Sequence, residues 1–216
     1  MKKLIGLDLD GTLEDSRDDM VTAARRVRAA LGVPARADAE LRPWVNAGMD
    51  QLYRKCFDDF LAGGPSARYR EVQQRYDADY LANVALQTRL YDGVAESLRE
   101  LAERGTLACI TNKPEQISRA LLAALGVGEL FATVVGGDSC TDCKPNPIML
   151  RTAAARCSLD PAEAKTFMVG DTAGDIKLGR AFGATTVWCT WGYSESAGEA
   201  PDHIAATPRE WLSIIR

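Results

Sequence analysis

The stretch Leu4-Ile5-Gly6-Leu7-Asp8-Leu9-Asp10-Gly11-Thr12-Leu13 decides the fold. It begins as an apolar run short enough for a buried strand. It then breaks into two carboxylates, a glycine and a threonine. In a parallel α/β sheet the chemistry sits just beyond the carboxyl ends of strands, and Asp8 and Asp10 fall where such a strand would end. Residues two apart in a strand-like backbone share a face, so both side chains can reach one site. Gly11 allows a sharp turn there. Two close carboxylates repel unless a cation neutralises them or one takes a proton. The first outcome is a metal site, the second an acid beside a nucleophile. Taken alone, the stretch also fits a turn with solvated Asp caps.

Working outward, 216 residues suit one α/β domain with an insertion, or two small domains. With 46% hydrophobic and 26% charged residues, the composition is that of an ordinary globular protein with a sizeable core. A net charge of −4 offers no electrostatic reason to expect nucleic acid as partner. No apolar run approaches the length of a membrane span. Lys2 and Lys3 imitate the start of a signal peptide, but Asp8 interrupts the apolar segment too early; the expectation is a cytoplasmic protein. The six cysteines then read as thiols rather than a disulfide framework. The close pair Cys140 and Cys143 has no second pair or nearby histidine with which to hold zinc.

After the opening stretch, Asp15 or Ser16 can cap a helix running to about Leu31, with Val21, Ala24, Arg28 and Leu31 along one face. Residues from about 38 to 86 read as further helices, broken most clearly at Gly63-Gly64-Pro65. The texture changes around Leu90. Strands are expected at Thr106–Ile110, Thr133–Gly136, Thr166–Gly170 and Thr185–Cys189, with a short one near His203. Helices are expected between them. This alternation predicts an α/β fold, a Rossmann-like parallel sheet with helices on both faces and right-handed crossovers. Residues 1–14 and 88–216 form its core domain. Residues 15–87 are an inserted, all-helical cap domain.

Three later stretches extend the chemistry. Thr111 falls at a strand end and a helix start, where a hydroxyl and free amides suit a phosphate, or a plain N-cap. Lys144 offers a compact cation for phosphate, or is a surface lysine. Gly170-Asp171-Thr172-Ala173-Gly174-Asp175 again places carboxylates beyond a hydrophobic strand. Asp and water oxygens in an incomplete cage favour magnesium; a helix cap at Asp171 with a solvated Asp175 is the alternative.

In order, these four stretches resemble the motif set of the haloacid-dehalogenase-like phosphatases: Asp-x-Asp-Gly-Thr, Thr, Lys, then Gly-Asp-x-x-x-Asp. Val135-Gly136-Gly137-Asp138, Lys144-Pro145-Asn146-Pro147, Thr190-Trp191-Gly192-Tyr193 and Trp44-Val45-Asn46-Ala47-Gly48 resemble phosphoglycolate-phosphatase sequences. The resemblance implies a hydrolase of phosphoric monoesters acting on a small phosphorylated metabolite, with 2-phosphoglycolate as the expected substrate. Asp8 would be the nucleophile that becomes an aspartyl phosphate. Asp10 would protonate the leaving alkoxide and then activate water, with a pKa raised by its like-charged neighbour. Magnesium would be held by the Asp8 carboxylate, the Asp10 carbonyl, Asp171 and Asp175. Thr111 and Lys144 would hold the phosphoryl oxygens, with Asn112 beside them. Selection of the leaving group would fall to the cap, where Arg42, able to grip a carboxylate, and Asn46 are the candidates. Alternatives are another sugar-phosphate or nucleotide phosphatase, a pyrophosphatase, a phosphomutase, or a non-catalytic binding module on the same fold. Monomer and homodimer are both compatible with the sequence.

Overall fold

In the computed structural model, residues 2–45 and 47–216 are described. Asn46, one of the two cap candidates, lies outside the described residues. In chain order, β1 (Lys3–Leu7) and β2 (Glu14–Asp15) precede five helices: α1 (Arg17–Ala30), α2 (Asp38–Val45), α3 (Met49–Cys56), α4 (Asp58–Leu61) and α5 (Ala67–Ala82). Then come β3 (Arg89–Leu90), α6 (Val94–Ala102), β4 (Thr106–Ile110), α7 (Glu115–Ala124), β5 (Phe131–Val135) and α8 (Ile148–Arg156). The chain continues through β6 (Lys165–Gly170), α9 (Ala173–Phe182), β7 (Thr185–Cys189), β8 (His203–Ala205) and α10 (Trp211–Ile214). Two compact units result, Met1–Asp15 with Arg89–Arg216, and Ser16–Thr88.

The first unit is built on a six-stranded sheet in the order β5-β4-β1-β6-β7-β8, and every pairing in it is parallel. Its strands are near-continuous apolar runs because both faces are covered. Leu4, Ala108, Ile110 and Met168 pack with Met149, Leu150, Ala153 and Leu178 of α8 and α9. Their neighbours Ile5, Leu7, Leu107, Phe167 and Val169 are equally buried, and α6 packs against β4. At Gly6 a Cβ would lie 2.9 Å from Leu150 Cδ2, so the glycine lets α8 approach β1 closely. This is the Rossmann-like α/β core expected from the alternation of strands and helices.

Residues just outside the insertion form an antiparallel ribbon, β2 against β3, pairing Glu14 with Leu90 and Asp15 with Arg89. No strand was expected there, because two residues carry no periodicity.

Among the described residues, the secondary structure of the second unit is helical. Tyr76 and Tyr80 of α5 stack at 6.1 Å between ring centres, and Tyr53 and Phe57 meet Tyr76 edge-on. Arg26 of α1 grips Asp79 of α5 through Nε and Nη2. Arg28, expected on the apolar face of α1, is fully buried; its guanidinium donates to Asp59 and to the carbonyls of Cys56 and Pro34. Ser16 takes the N-cap position of α1, yet its hydroxyl turns to the Met20 sulfur at 3.4 Å. Among the described residues, no helix is long and apolar enough to cross a membrane.

Candidate active site

Three adjacent strands deliver the site. β4, β1 and β6 are neighbours in the sheet, and Thr111, Asp8 and Asp171 are the residues that immediately follow them. Their carboxyl ends point the same way because both pairings are parallel. A fourth residue, Lys144, comes from the connection between β5 and α8.

The Lys144 ammonium bridges two carboxylates, 2.6 Å from Asp8 Oδ1 and 2.8 Å from Asp175 Oδ1. Leu9 N also donates to Asp8 Oδ1, at 2.7 Å. Carboxylate oxygens of Asp8, Asp171 and Asp175 lie within 4.8 Å of one another, and all three residues are buried. Burial first, and then the Asp175 charge, push the Asp8 carboxyl well above its usual range against the pull of Lys144. Burial works against the Lys144 charge, but Asp175 and Asp8 outweigh it and hold the ammonium above its ordinary pKa.

Asp171 is aimed by two donors. Thr12 Oγ1 donates to its Oδ1 at 3.0 Å, and Tyr193 N to its Oδ2 at 2.7 Å. Three glycines leave room for the acids: a Cβ on Gly192 would stand 2.2 Å from Asp171 Cβ, one on Gly11 2.6 Å from Asp171 Oδ2, and one on Gly170 2.2 Å from Asp175 Cγ. Asp175 closes a capping box at the start of α9, its Oδ2 accepting from Thr172 N and Oγ1 at 3.0 and 2.7 Å. Asp175 is thus a buried, fully engaged group rather than a solvated one.

The buried oxygen-only set of Asp8, Asp171 and Asp175 fits a hard divalent cation. The concentration of negative charge around a single lysine is the physical reason such an ion would be held.

Thr111 is buried at the head of the β4–α7 turn, its Oγ1 accepting from Lys113 N at 3.1 Å. Asn112 Oδ1 accepts from Lys144 N at 3.0 Å, which ties this turn to the lysine loop. Asp10 meets a cation: Lys113 Nζ lies 2.5 Å from its Oδ1. Lys113 was not among the candidates. The signal for it was a second lysine two residues beyond a strand-end threonine. In the second unit, Arg42 is half-exposed and paired with Asp18. Of the two cysteines before Lys144, Cys140 donates its thiol to Thr152 Oγ1 and Cys143 to the Gly137 carbonyl, each at 3.2 Å.

Beyond the central strand ends of this parallel sheet lie a buried aspartate, a lysine and two further carboxylates, an arrangement suited to a hydrolase of anionic esters. Residues 5–189 match the model of the haloacid dehalogenase-like hydrolases, and the chain belongs to that family. Within it the chain is phosphoglycolate-phosphatase-like. It is 34% identical over 220 residues to a phosphoglycolate phosphatase of Vibrio vulnificus, covering 99% of this chain and 96% of that one. A phosphoglycolate phosphatase of Nitrosococcus oceani is 33% identical over 194 residues, 89% of this chain and 85% of the relative. The crystal structure of a predicted phosphoglycolate phosphatase from Haemophilus somnus superposes with a TM-score of 0.84 at 28% identity, covering 100% and 98% of the two chains. The protein is a phosphatase of this family.

The charge distribution predicts an unusual pH response. Burial, then the Asp175 charge, raise the Asp171 carboxyl from 3.8 to about 6. Such a group holds its proton more tightly folded than unfolded. Its contribution to stability is therefore complete below pH 3.8 and lost as pH rises through about 6. In buffer free of divalent cations, Asp171→Asn should melt higher than the native protein at pH 7. A two-unit shift corresponds to a gap on the order of 2–3 kcal/mol. The gap should close towards pH 4, and equal melting at both pH values would contradict a carboxyl raised by burial and by the Asp175 charge.

Proposed function

We propose that this phosphatase hydrolyses 2-phosphoglycolate with magnesium through an aspartyl phosphate on Asp8. The observation that carries the reading is the Lys144 ammonium held 2.6 Å from Asp8 Oδ1. A cation beside Asp8 supports the reading, because an anionic nucleophile must meet an anionic phosphate. The relatives that share a third of the sequence over nearly their whole length bear the phosphoglycolate phosphatase name, which supports the choice of substrate.

In the first half-reaction an Asp8 oxygen bonds to phosphorus as the bond from phosphorus to the ester oxygen breaks. Asp10 gives its proton to that oxygen, so the alcohol leaves neutral. Lys144 and the Thr111 hydroxyl hold the phosphoryl oxygens. In the second half, Asp10 takes a proton from water and the water oxygen displaces Asp8 from phosphorus, restoring both side chains. The Asp8 and Asp171 carboxylates, the Asp10 carbonyl and Asp175 would hold a magnesium ion, which would supply charge neutralisation between nucleophile and phosphate.

These core groups bind phosphate and do not choose a leaving group. We assign that choice to the helical unit, with Arg42 and Asn46 as candidates. Loss of one charged hydrogen bond costs about 1.5–3 kcal/mol, or roughly ten- to a hundredfold in rate. Arg42→Ala and Asn46→Ala should therefore lower kcat/KM for phosphoglycolate by that factor and leave p-nitrophenyl phosphate nearly untouched. A screen of kcat/KM across small phosphorylated metabolites tests the substrate itself. Phosphoglycolate should rank first. No turnover of it would remove this substrate and leave a phosphatase for another small ester.

A further inference from the structure

We propose that Lys113 is a positioning residue of the reaction, fixing the Asp10 carboxyl in the direction from which it exchanges a proton with the leaving group. The inference rests on the reading of Asp10 as the acid–base group and adds a residue that reading did not contain.

The geometry is one-sided. The Lys113 side chain is 2% exposed and that of Asp10 is 21% exposed, with Nζ 2.5 Å from Oδ1. The lysine is thus the buried anchor, and the aspartate is the partner that still reaches solvent. A charge-assisted bond to one carboxyl oxygen is short and directional. With Oδ1 held, the plane of the carboxyl is held, and so is the direction of its proton-exchanging oxygen.

The anchor is itself secured at both ends of its backbone. Lys113 N donates to Thr111 Oγ1 at 3.1 Å, and Gly137 N donates to the Lys113 carbonyl at 3.0 Å. The turn after β5 is pressed against this loop: a Cβ on Gly136 would lie 2.3 Å from Glu115 N and 2.8 Å from the Lys113 carbonyl, and one on Gly137 2.3 Å from the Asn112 carbonyl. Asp138 Oδ1 accepts from Glu115 N at 2.7 Å, fixing the first turn of α7 to the same turn. One loop thereby carries the threonine assigned to the phosphate and the lysine that aims the acid. Because β4 pairs with β1, the phosphate contact and the acid keep a constant relation to the Asp8 nucleophile.

Leaving-group dependence separates positioning of an acid from a general structural role. The alkoxide of an alkyl phosphate needs a proton as it departs; p-nitrophenolate, a weak base, needs almost none. Lys113→Met should therefore lower kcat/KM for phosphoglycolate, or for whichever alkyl phosphate the native enzyme turns over best, by about 10²-fold or more. For p-nitrophenyl phosphate kcat/KM, which reports steps up to departure of the phenolate and not the later hydrolysis that also uses Asp10, should stay within about threefold of native, which also reports that the site is folded. In an Asp10→Asn background, Lys113→Met should cost nothing further, since a positioning residue has no work without the group it positions. The double variant leaves neither charge unpaired and serves even where the single one fails to fold. Equal losses in kcat/KM on both substrates, or fully additive losses in the double variant, would overturn the proposal. Absence of any phosphomonoesterase activity in the native protein would instead defeat the reading on which it rests.

Discussion

Asp8→Asn is expected to abolish turnover, by at least about 10⁴-fold, while the protein remains folded and still binds phosphate. Single removals of a covalent nucleophile fall in this range because the rest of the site supplies only residual catalysis. The fold should not suffer. Asp8 is a buried carboxyl raised by burial and by Asp175, so it is a strained group in the metal-free protein. Asparagine keeps an oxygen for Leu9 N and removes the charge. Lys144 retains Asp175 at 2.8 Å. The variant should therefore melt at or above the native temperature in buffer without divalent cations, as expected where function is held at a cost in stability. Turnover within tenfold of native would remove Asp8 from the chemistry.

Lys144→Met should produce the opposite pattern, losing stability and activity together. Its ammonium is the cation that touches both Asp8 and Asp175, and it is 6% exposed. Removing one partner of a buried ionic cluster costs about 3–5 kcal/mol. For a chain of this size that is a drop of roughly 6–20 °C in Tm at neutral pH. The drop should shrink as pH falls, because a protonated Asp8 needs no counter-charge, and magnesium should recover part of it. Loss of a preorganised cation at the phosphoryl oxygens should lower kcat by about 10²–10³-fold. An unchanged Tm at pH 7 would mean that the three carboxylates are neutralised some other way.

The residues that differ in legibility do so for physical reasons. Asp8 and Asp171 could be read because each ends an apolar strand, and a strand end in a parallel sheet is a fixed address. The fold followed from the same signal, repeated at Thr106–Ile110, Thr166–Gly170 and Thr185–Cys189. The role of Lys113 could not be read from its place after a strand-end threonine alone. Its partner Asp10 lies 103 positions away, and only the pairing of β4 with β1 makes them neighbours. Gly192 is similar: its role is the close approach to Asp171, a property of packing and not of local propensity. The β2–β3 ribbon is too short to leave a pattern. Arg42 lies in α2 and pairs with Asp18, a contact 24 positions away that its neighbours in sequence do not reveal. Asp15 and Ser16 both fit a cap by type, yet a backbone position does not determine where a hydroxyl turns.

The covalent route through Asp8 is tested most directly by the stereochemical course at phosphorus, followed with a phosphate monoester made chiral by oxygen isotopes. Transfer to Asp8 and then to water comprises two in-line displacements, so the account predicts net retention. Net inversion would mean that water attacks the ester in one step, with Asp8 reduced to holding charge.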